Sequence, residues 1–321
     1  MCDAIKEINC ESADQLLKKL ERTNELWNGT RQFWVFRGHG DDDNYELVPT
    51  ALRRSNPLPE LGYTFKPKKG PFDTNQDQID AEFERIHEFF WAIDAQGLGV
   101  PGDINLMRTP TNWEELKGKI NKQDGWPADA LLPLLALAQH YGVATRLLDW
   151  SDKPLVAAYF AAAEAAKLKT GKTLSVWALN LDWIINIAFP AFPTNRPEEP
   201  KNSKISVFVV TAPRCSNPNL HAQGGVFTTE KLVSCELNDK LTVHSVNDIV
   251  KKEWSNHKCD KPVMAHITLP SQKAGELLRL LNQEGINSAT LLPGYKGVAD
   301  SLLERNLWDK TEITSYWLKA K

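Results

Sequence analysis

The sequence predicts an α+β protein, because helical and strand-like segments interleave along the chain without the regular alternation of a doubly wound sheet. Hydrophobic residues make up 42% of the 321 positions and charged residues 25%, a composition typical of globular proteins. No internal repeat or low-complexity segment interrupts the pattern. We expect a helix within residues 1–30 and one domain over residues 31–321 that ends in a strand–helix extension.

Helices are predicted where apolar residues recur every three or four positions. The first begins after Ser12, whose side chain can cap a helix that carries three leucines on one side. Pro133 lies inside the predicted helix at residues 127–138 and predicts a kink or a break there. The other predicted helices cover residues 79–93, 127–138, 153–168 and 274–282.

Strands are predicted where short apolar runs lie between turn-forming residues. These runs cover residues 32–37, 145–150, 174–179, 205–211, 225–229 and 265–269. Two further stretches, 55–75 and 97–125, are irregular and predict surface segments outside the core. The first of them contains three lysines that suit either a solvated loop or a phosphate-binding patch: Lys66, Lys68 and Lys69.

Charge and cysteine content exclude several classes of protein. The 38 Lys and Arg against 41 Asp and Glu leave a net charge of −3, which argues against a general attraction to nucleic acid or to an anionic membrane. No apolar run approaches the roughly 18–20 residues that span a bilayer, and the first ten residues lack the apolar core of a secretory signal. The five cysteines are scattered without a Cys-x-x-Cys pair. We therefore expect a cytoplasmic protein with no membrane partner and no metal site.

Two segments concentrate polar residues between apolar runs. One is Phe36-Arg37-Gly38-His39, at the end of a predicted strand, and the other covers residues 138–151. Polar groups held between buried elements either satisfy one another or line a cavity. The common phosphate-loop, zinc-protease and serine-hydrolase motifs are absent from the sequence.

These segments resemble the FRG domain family, which is named for a motif like Phe36-Arg37-Gly38. The similarity continues through Gln139-His140-Tyr141-Gly142, residues 145–151 and residues 157–161, with a third matching stretch at residues 222–227 and a C-terminal motif at residues 289–297. In all, it extends from about residue 33 to residue 300. The resemblance implies a bacterial or phage-encoded protein, with phage defence as the expected setting.

A remoter resemblance links the same segments to ADP-ribosyltransferases of the Arg-Ser-Glu type. Arg37 ends the first strand as their arginine does, Ser151 ends a strand before an alanine-rich helix, and Gln223 stands where they have glutamate. This resemblance implies a split mixed or antiparallel sheet with flanking helices. It also implies NAD as a substrate and a protein or nucleic acid as acceptor of ADP-ribose.

The expected chemistry explains why such residues are needed. Cleavage of the nicotinamide–ribose bond develops an oxocarbenium ion, which a carboxylate stabilises, while a guanidinium suits the pyrophosphate. Gln223 supplies no charge, and Asp149 is the alternative carboxylate. The resemblance thus implies four catalytic residues: Arg37, Asp149, Ser151 and Gln223. The residues expected to contact NAD are Arg37, Gly38, His39, His140, Tyr141, Thr145, Arg146, Trp150 and Tyr159.

Structural roles for these residues remain open at this point. Arg37 can be a buried partner of Asp149, Ser151 can cap a helix, and Gln223 can belong to a turn.

Two other functions also remain open. One is a catalytically silent domain that recognises a nucleotide or a modified macromolecule, which the absence of the glutamate favours. The other is a phosphodiester-cleaving toxin that uses His39 and His140 as acid and base. The transferase hypothesis predicts that five residues converge on one cleft: Arg37, His140, Asp149, Ser151 and Gln223.

Overall fold

A computed structural model shows a seven-stranded mixed sheet with helices on both of its faces. It describes residues 3–27, 33–53, 72–101, 105–108, 125–168, 172–188, 207–212, 217–232, 239–256 and 261–308. Most of the predicted surface segments 55–75 and 97–125 lie outside the described residues, as do the three lysines of the first. The expected α+β class is confirmed.

The sheet contains the strands in the order β1-β7-β4-β2-β3-β6-β5. Among these strands only the edge pair β1–β7 is parallel, and the other neighbouring pairs are antiparallel. The bounds of the strands are β1 Ile5–Asn9, β2 Trp34–His39, β3 Leu148–Ser151, β4 Thr173–Asn180, β5 Val207–Val210, β6 Gly225–Glu230 and β7 Met264–Pro270. The sequence predicted all of them except β1.

Helices fill the connections between strands. Their bounds are α1 Ala13–Leu20, α2 Asn75–Ala95, α3 Asn105–Arg108, α4 Leu132–His140, α5 Pro154–Leu168, α6 Leu181–Ala188, α7 Pro218–Gln223, α8 Val246–Asn256, α9 Ala274–Gln283, α10 Ser288–Leu291 and α11 Tyr295–Glu304. The predictions for α1, α2, α5 and α9 are confirmed. Ser12 caps α1 as expected, since its side chain accepts from the Gln15 backbone N–H. Pro133 lies in the first turn of α4, where proline is tolerated, so the helix begins at the predicted break.

The N-terminal segment is part of the same sheet. The sequence predicted a helix within residues 1–30, and α1 is there, but β1 precedes it. Ile5 is paired with Met264 of β7, so the first and the last of the described strands lie side by side.

The sheet comes apart between β2 and β3. These strands are paired at one position, Phe36 with Ser151, whereas β2 is paired with β4 along its whole length. Helix α5 packs directly onto β2 beside this gap: a Cβ on Gly38 would lie 1.9 Å from the backbone oxygen of Ala157. Only glycine allows so close an approach of strand and helix.

Two hydrophobic clusters flank the gap on one face of the sheet. The first contains Phe36 and the helices α1, α5 and α9, and the second contains Phe227 of β6 with α2 and α4. Phe36 pairs with Ser151, and Phe227 pairs with Asp149 on the same strand, so all four residues point to the same face. The opposite face is covered by α6 and α8. None of the described helices is both long and apolar enough to cross a membrane.

Candidate functional site

A cleft of about 440 Å³ lies where β2 and β3 separate. This volume is in the range of small-molecule sites in proteins. The structure brings five residues to this cleft that are spread over the chain: Arg37, His140, Asp149, Ser151 and Gln223. Their convergence agrees with the geometry that the transferase hypothesis requires.

Arg37 bridges the two strands at the gap. Its Nη1 donates to the backbone oxygen of Asp149 at 2.7 Å and lies 2.7 Å from the carboxylate Oδ2 of the same residue. Its Nε donates to Nε2 of His39 at 2.8 Å. The second terminal nitrogen, Nη2, has no partner among the described residues. The guanidinium thus replaces part of the missing strand pairing and keeps one N–H₂ group for another partner.

Asp149 is held in one orientation by a chain of hydrogen bonds. Gln139 donates from Nε2 to Oδ1 of Asp149 at 3.0 Å, and the Thr145 hydroxyl donates to Oε1 of Gln139 at 2.8 Å. The backbone N–H of Leu147 donates to the same hydroxyl, which leaves that hydroxyl proton for Gln139. The direction of every bond in the chain is therefore determined, and Asp149 is the acceptor at its end.

The Asp149 carboxylate is charged and half-exposed. Burial opposes ionisation, but the Arg37 guanidinium and then the Gln139 amide hold the pKa of the Asp149 carboxyl below its usual range. Because 53% of its side chain remains exposed, the carboxylate presents a negative charge to the cleft at neutral pH.

Ser151 and Gln223 hold the wall of the cleft together. The Ser151 hydroxyl donates to the backbone oxygen of Gln223 at 2.6 Å and accepts from the backbone N–H of Lys153 at 3.0 Å, at the start of α5. Nε2 of Gln223 donates to the backbone oxygen of Leu291 at 3.2 Å. Gly224 follows Gln223 in the left-handed conformation, with φ 62°. Both side chains therefore join β3, α7 and α10. Ser151 lies in β3 and Gln223 ends helix α7, so their structural roles differ from the helix cap and the turn that the sequence left open.

Aromatic rings line the cleft as well. Tyr141 is 61% exposed, and its ring stands edge-on to His140, with the centroids 5.3 Å apart. Burial lowers the pKa of His140 more than Asp149 raises it, so this imidazole is neutral at pH 7. Phe160 of α5 also lines the cleft and is partly exposed. These rings offer faces on which a planar base or nicotinamide can stack.

Tyr159 lies away from the cleft, although the sequence placed it at the ligand. Consecutive residues of a helix point about 100° apart, so Phe160 lines the cleft while Tyr159 turns into the protein. The Tyr159 hydroxyl donates to Glu304, and burial raises its pKa. Phe160 was missed because the alanine-rich sequence of α5 did not show which side of the helix faces the gap.

Arg146 and Thr145 are also buried away from the cleft. Arg146 is 3% exposed, and it forms a two-point ion pair with Glu82 of α2. Thr145 acts through Gln139, which lines the cleft and had no predicted role. Both were expected to contact NAD because they belong to a polar motif. Some side chains of this motif line the cleft, whereas those of Thr145 and Arg146 point into the protein.

The side chains of Trp150 and His39 are buried and mainly contact other residues of the protein. Trp150 reaches the cleft, but its Nε1 donates to Thr228 at 2.9 Å and its side chain belongs to the cluster on the opposite face. His39 is 2% exposed and does not line the cleft. An acid–base pair of His39 and His140 is therefore not formed, and this geometry does not support the phosphodiester-cleaving alternative. No group of three or more metal-ligating side chains is found in the described part of the chain.

Residues 32–170 match the family model of the FRG domain. Over these residues the chain is similar to FRG domains. The matched segment contributes Arg37, Gln139, His140, Asp149 and Ser151 to the cleft, together with Gly38, Tyr141 and Phe160. The opposite wall, with Gln223 and Leu292, comes from the chain after the matched segment. Comparison with curated proteins and with solved structures found no match.

Proposed function

We propose that the cleft of this protein binds NAD or a related dinucleotide and that the protein transfers ADP-ribose to a protein or nucleic acid. The observation that carries the proposal is the Arg37–Asp149 pair, an oriented cation and anion that both line one cleft. Strands β2 and β3 and the last residue of helix α7 bring Arg37, Ser151 and Gln223 to that cleft. The order along the chain is the one that Arg-Ser-Glu transferases have.

The geometry of Arg37 supports binding of a pyrophosphate. Nη1 and Nε are engaged by Asp149 and His39, which hold the plane of the guanidinium, while Nη2 keeps its protons for a ligand. An N–H₂ group of a charged guanidinium is a strong donor to phosphate oxygen. The exposed rings of Tyr141 and Phe160 provide stacking surfaces for the base or for nicotinamide.

Asp149 is better suited than Gln223 to stabilise the transition state. When the acceptor's nucleophile attacks the ribose carbon, the electron pair of the C–N bond leaves with neutral nicotinamide, and positive charge develops on the ribose. Asp149 presents a full negative charge to the cleft, whereas the Gln223 amide is neutral and already bonds the Leu291 carbonyl. His140 is neutral and lines the same cleft, so it can accept the proton that the acceptor loses.

A second candidate function is recognition of a nucleotide without turnover. The observation that favours it is the structural use of two expected catalytic groups: the Ser151 hydroxyl bonds the backbone of Gln223, and the Gln223 amide bonds the backbone of Leu291. A cleft of this kind would bind the same dinucleotide and leave the glycosidic bond intact.

Nicotinamide release distinguishes the two functions. The test compares native protein with Asp149→Asn, which removes the charge at constant volume, and with the control Asp182→Asn at an exposed position of helix α6. For the transferase we expect Asp149→Asn to lower the release rate roughly 10²–10³-fold, the usual loss when one charge-stabilising group is removed, while NAD affinity changes less than about tenfold.

Calorimetry with NAD completes the test. Binding without release by native protein would establish the silent recognition domain and overturn the transferase. The absence of both binding and release from folded native protein would refute the dinucleotide site itself. Circular dichroism shows whether each variant is folded.

A further inference from the structure

His39 lies directly behind Arg37 and is almost completely buried. The two residues are two positions apart on β2, so their side chains leave the strand on the same side. Nε2 of His39 is the acceptor for Nε of Arg37 at 2.8 Å, and the Tyr45 ring lies 5.5 Å from the imidazole, centroid to centroid. His39 itself is 2% exposed. It therefore touches the cleft only through Arg37.

Packing alone does not explain a histidine in this place. Because Nε2 accepts a hydrogen bond, the proton of the neutral ring must be on Nδ1. Nδ1 is buried and has no partner among the described residues. A buried N–H without a partner destabilises the folded state, and an apolar side chain of similar size would avoid that cost. The bond to Arg37 is the interaction that such a side chain would lose.

Because His39 is neutral, it adds no second charge beside the Arg37–Asp149 ion pair. Burial, and then the charges of Arg37 and Arg53, lower the pKa of His39 to about 3, against the opposing effect of Asp42 and Asp149. Arg37 thus has one charged partner, Asp149, and one neutral partner. A second carboxylate in place of His39 would add a negative charge beside Arg37 and would weaken its attraction for a pyrophosphate.

We propose that His39 is a positioning residue that holds the Arg37 guanidinium in its binding orientation through a neutral Nε2 acceptor. The proposal rests on the proposed function, because the ligand of Arg37 is taken to be the pyrophosphate of a dinucleotide. It assigns His39 an indirect role in place of the direct NAD contact that the sequence predicted.

The first test needs no ligand. Nitrogen-15 NMR of the histidine rings in native protein reports which nitrogen carries the proton. We expect His39 to show the Nδ1–H form from pH 5.5 to pH 8 without titrating. A proton on Nε2, or a titration near the ordinary pKa of about 6.5, would overturn the proposal whether or not NAD binds.

The second test measures NAD affinity by calorimetry. His39→Leu removes the acceptor, and we expect roughly tenfold weaker binding, the loss typical of one hydrogen bond to a charged group. His39→Gln places a carboxamide oxygen near the position of Nε2 and should restore most of the affinity. In an Arg37→Ala background, His39→Leu should cause no further loss.

The second test distinguishes failure of the positioning role of His39 from failure of the proposed NAD-binding function. An equal loss from His39→Leu with and without Arg37 would show that His39 acts on something else and would overturn the positioning role. If His39→Leu does not fold, unchanged affinity of a folded His39→Ala would overturn it. If native protein binds no NAD, the proposed function fails, and the NMR measurement still decides the relation between His39 and Arg37.

Discussion

The buried ion pair between Arg146 and Glu82 allows a prediction that is independent of any ligand. Arg146 donates from Nε and Nη2 to the two carboxylate oxygens of Glu82, each at 3.0 Å, and both side chains are 3% exposed. Gln78 and Trp126 donate to the same two oxygens at 2.7 Å. Removing the guanidinium by Arg146→Met leaves a buried carboxylate with only neutral partners.

The expected cost follows from this environment. Breaking a buried ion pair by removing one partner costs about 3–5 kcal/mol, because the remaining charge stays in a medium of low dielectric. The two neutral donors that Glu82 keeps place the expected value toward the lower end, about 3 kcal/mol. For a chain of this size, such a loss lowers the melting temperature by on the order of 5 °C.

Urea unfolding followed by tryptophan fluorescence measures this loss. The control is Arg22→Met, at an exposed arginine, which should change the free energy of unfolding by less than about 0.5 kcal/mol. The double variant Arg146→Met/Glu82→Gln should be more stable than the sum of the single effects predicts, because a carboxamide at position 82 leaves no buried charge unpaired.

Two results would refute this reasoning. One is an Arg146→Met protein within about 1 kcal/mol of native stability, since removal of one partner from a buried two-point pair must cost more than that. The other is a folded Arg146→Met that loses NAD affinity as strongly as Arg37→Ala, because Arg146 would then contact the ligand as the sequence suggested.

Two further predictions concern stability. Burial alone would lower the pKa of His266, but hydrogen bonds and charge from Asp42 and Glu7 outweigh it and raise that pKa. The interactions of protonated His266 therefore stabilise the folded protein fully at pH values below the pKa of histidine in the unfolded chain, about 6.5. This contribution to the free energy of unfolding is lost as pH rises through the pKa of His266 in the folded protein. Native protein should lose more stability than His266→Gln between pH 6 and pH 8.5 in urea titrations, and equal slopes would contradict this. At Gly38, an alanine would place its Cβ 1.9 Å from a backbone oxygen of α5, so we expect Gly38→Ala to cost about 3 kcal/mol or more. Gly99→Ala, where the added methyl meets open space, is the control, and similar melting temperatures for the two variants would count against a close contact of α5 with β2.

Local patterns in the sequence predicted the helices and strands whose own residues show a clear spacing of apolar positions. Helix α2 shows its apolar residues at helical spacing, and β4 and β7 are short segments in which most residues are apolar. Strand β1, Ile5–Asn9, was missed because only two of its five residues are apolar, and these lie three positions apart instead of alternating with polar residues. Its partner β7 lies at the other end of the chain, and a pairing so distant leaves no trace in a short window.

The polar composition of the cleft was also readable from the sequence. Arg37, His140 and Asp149 stand in motifs whose residue types require partners or a cavity, and the structure places all three in one cleft. Which strand neighbours which was not readable, because the separation of β2 from β3 depends on the register of a sheet built from the whole chain.

The sequence by itself determined which residues could carry charge, stack or cap a helix, since those are properties of a side chain and its immediate neighbours. Only the tertiary structure decided which of them face the cleft. Arg146 and Asp149 are three positions apart, yet one pairs with Glu82 in the core and the other faces the cleft. Tyr159 and Phe160 are adjacent, yet they point in different directions from one helix. The physical reason is that the direction of a side chain is set by strand register and helix rotation, and both are determined by packing against residues far away in the chain.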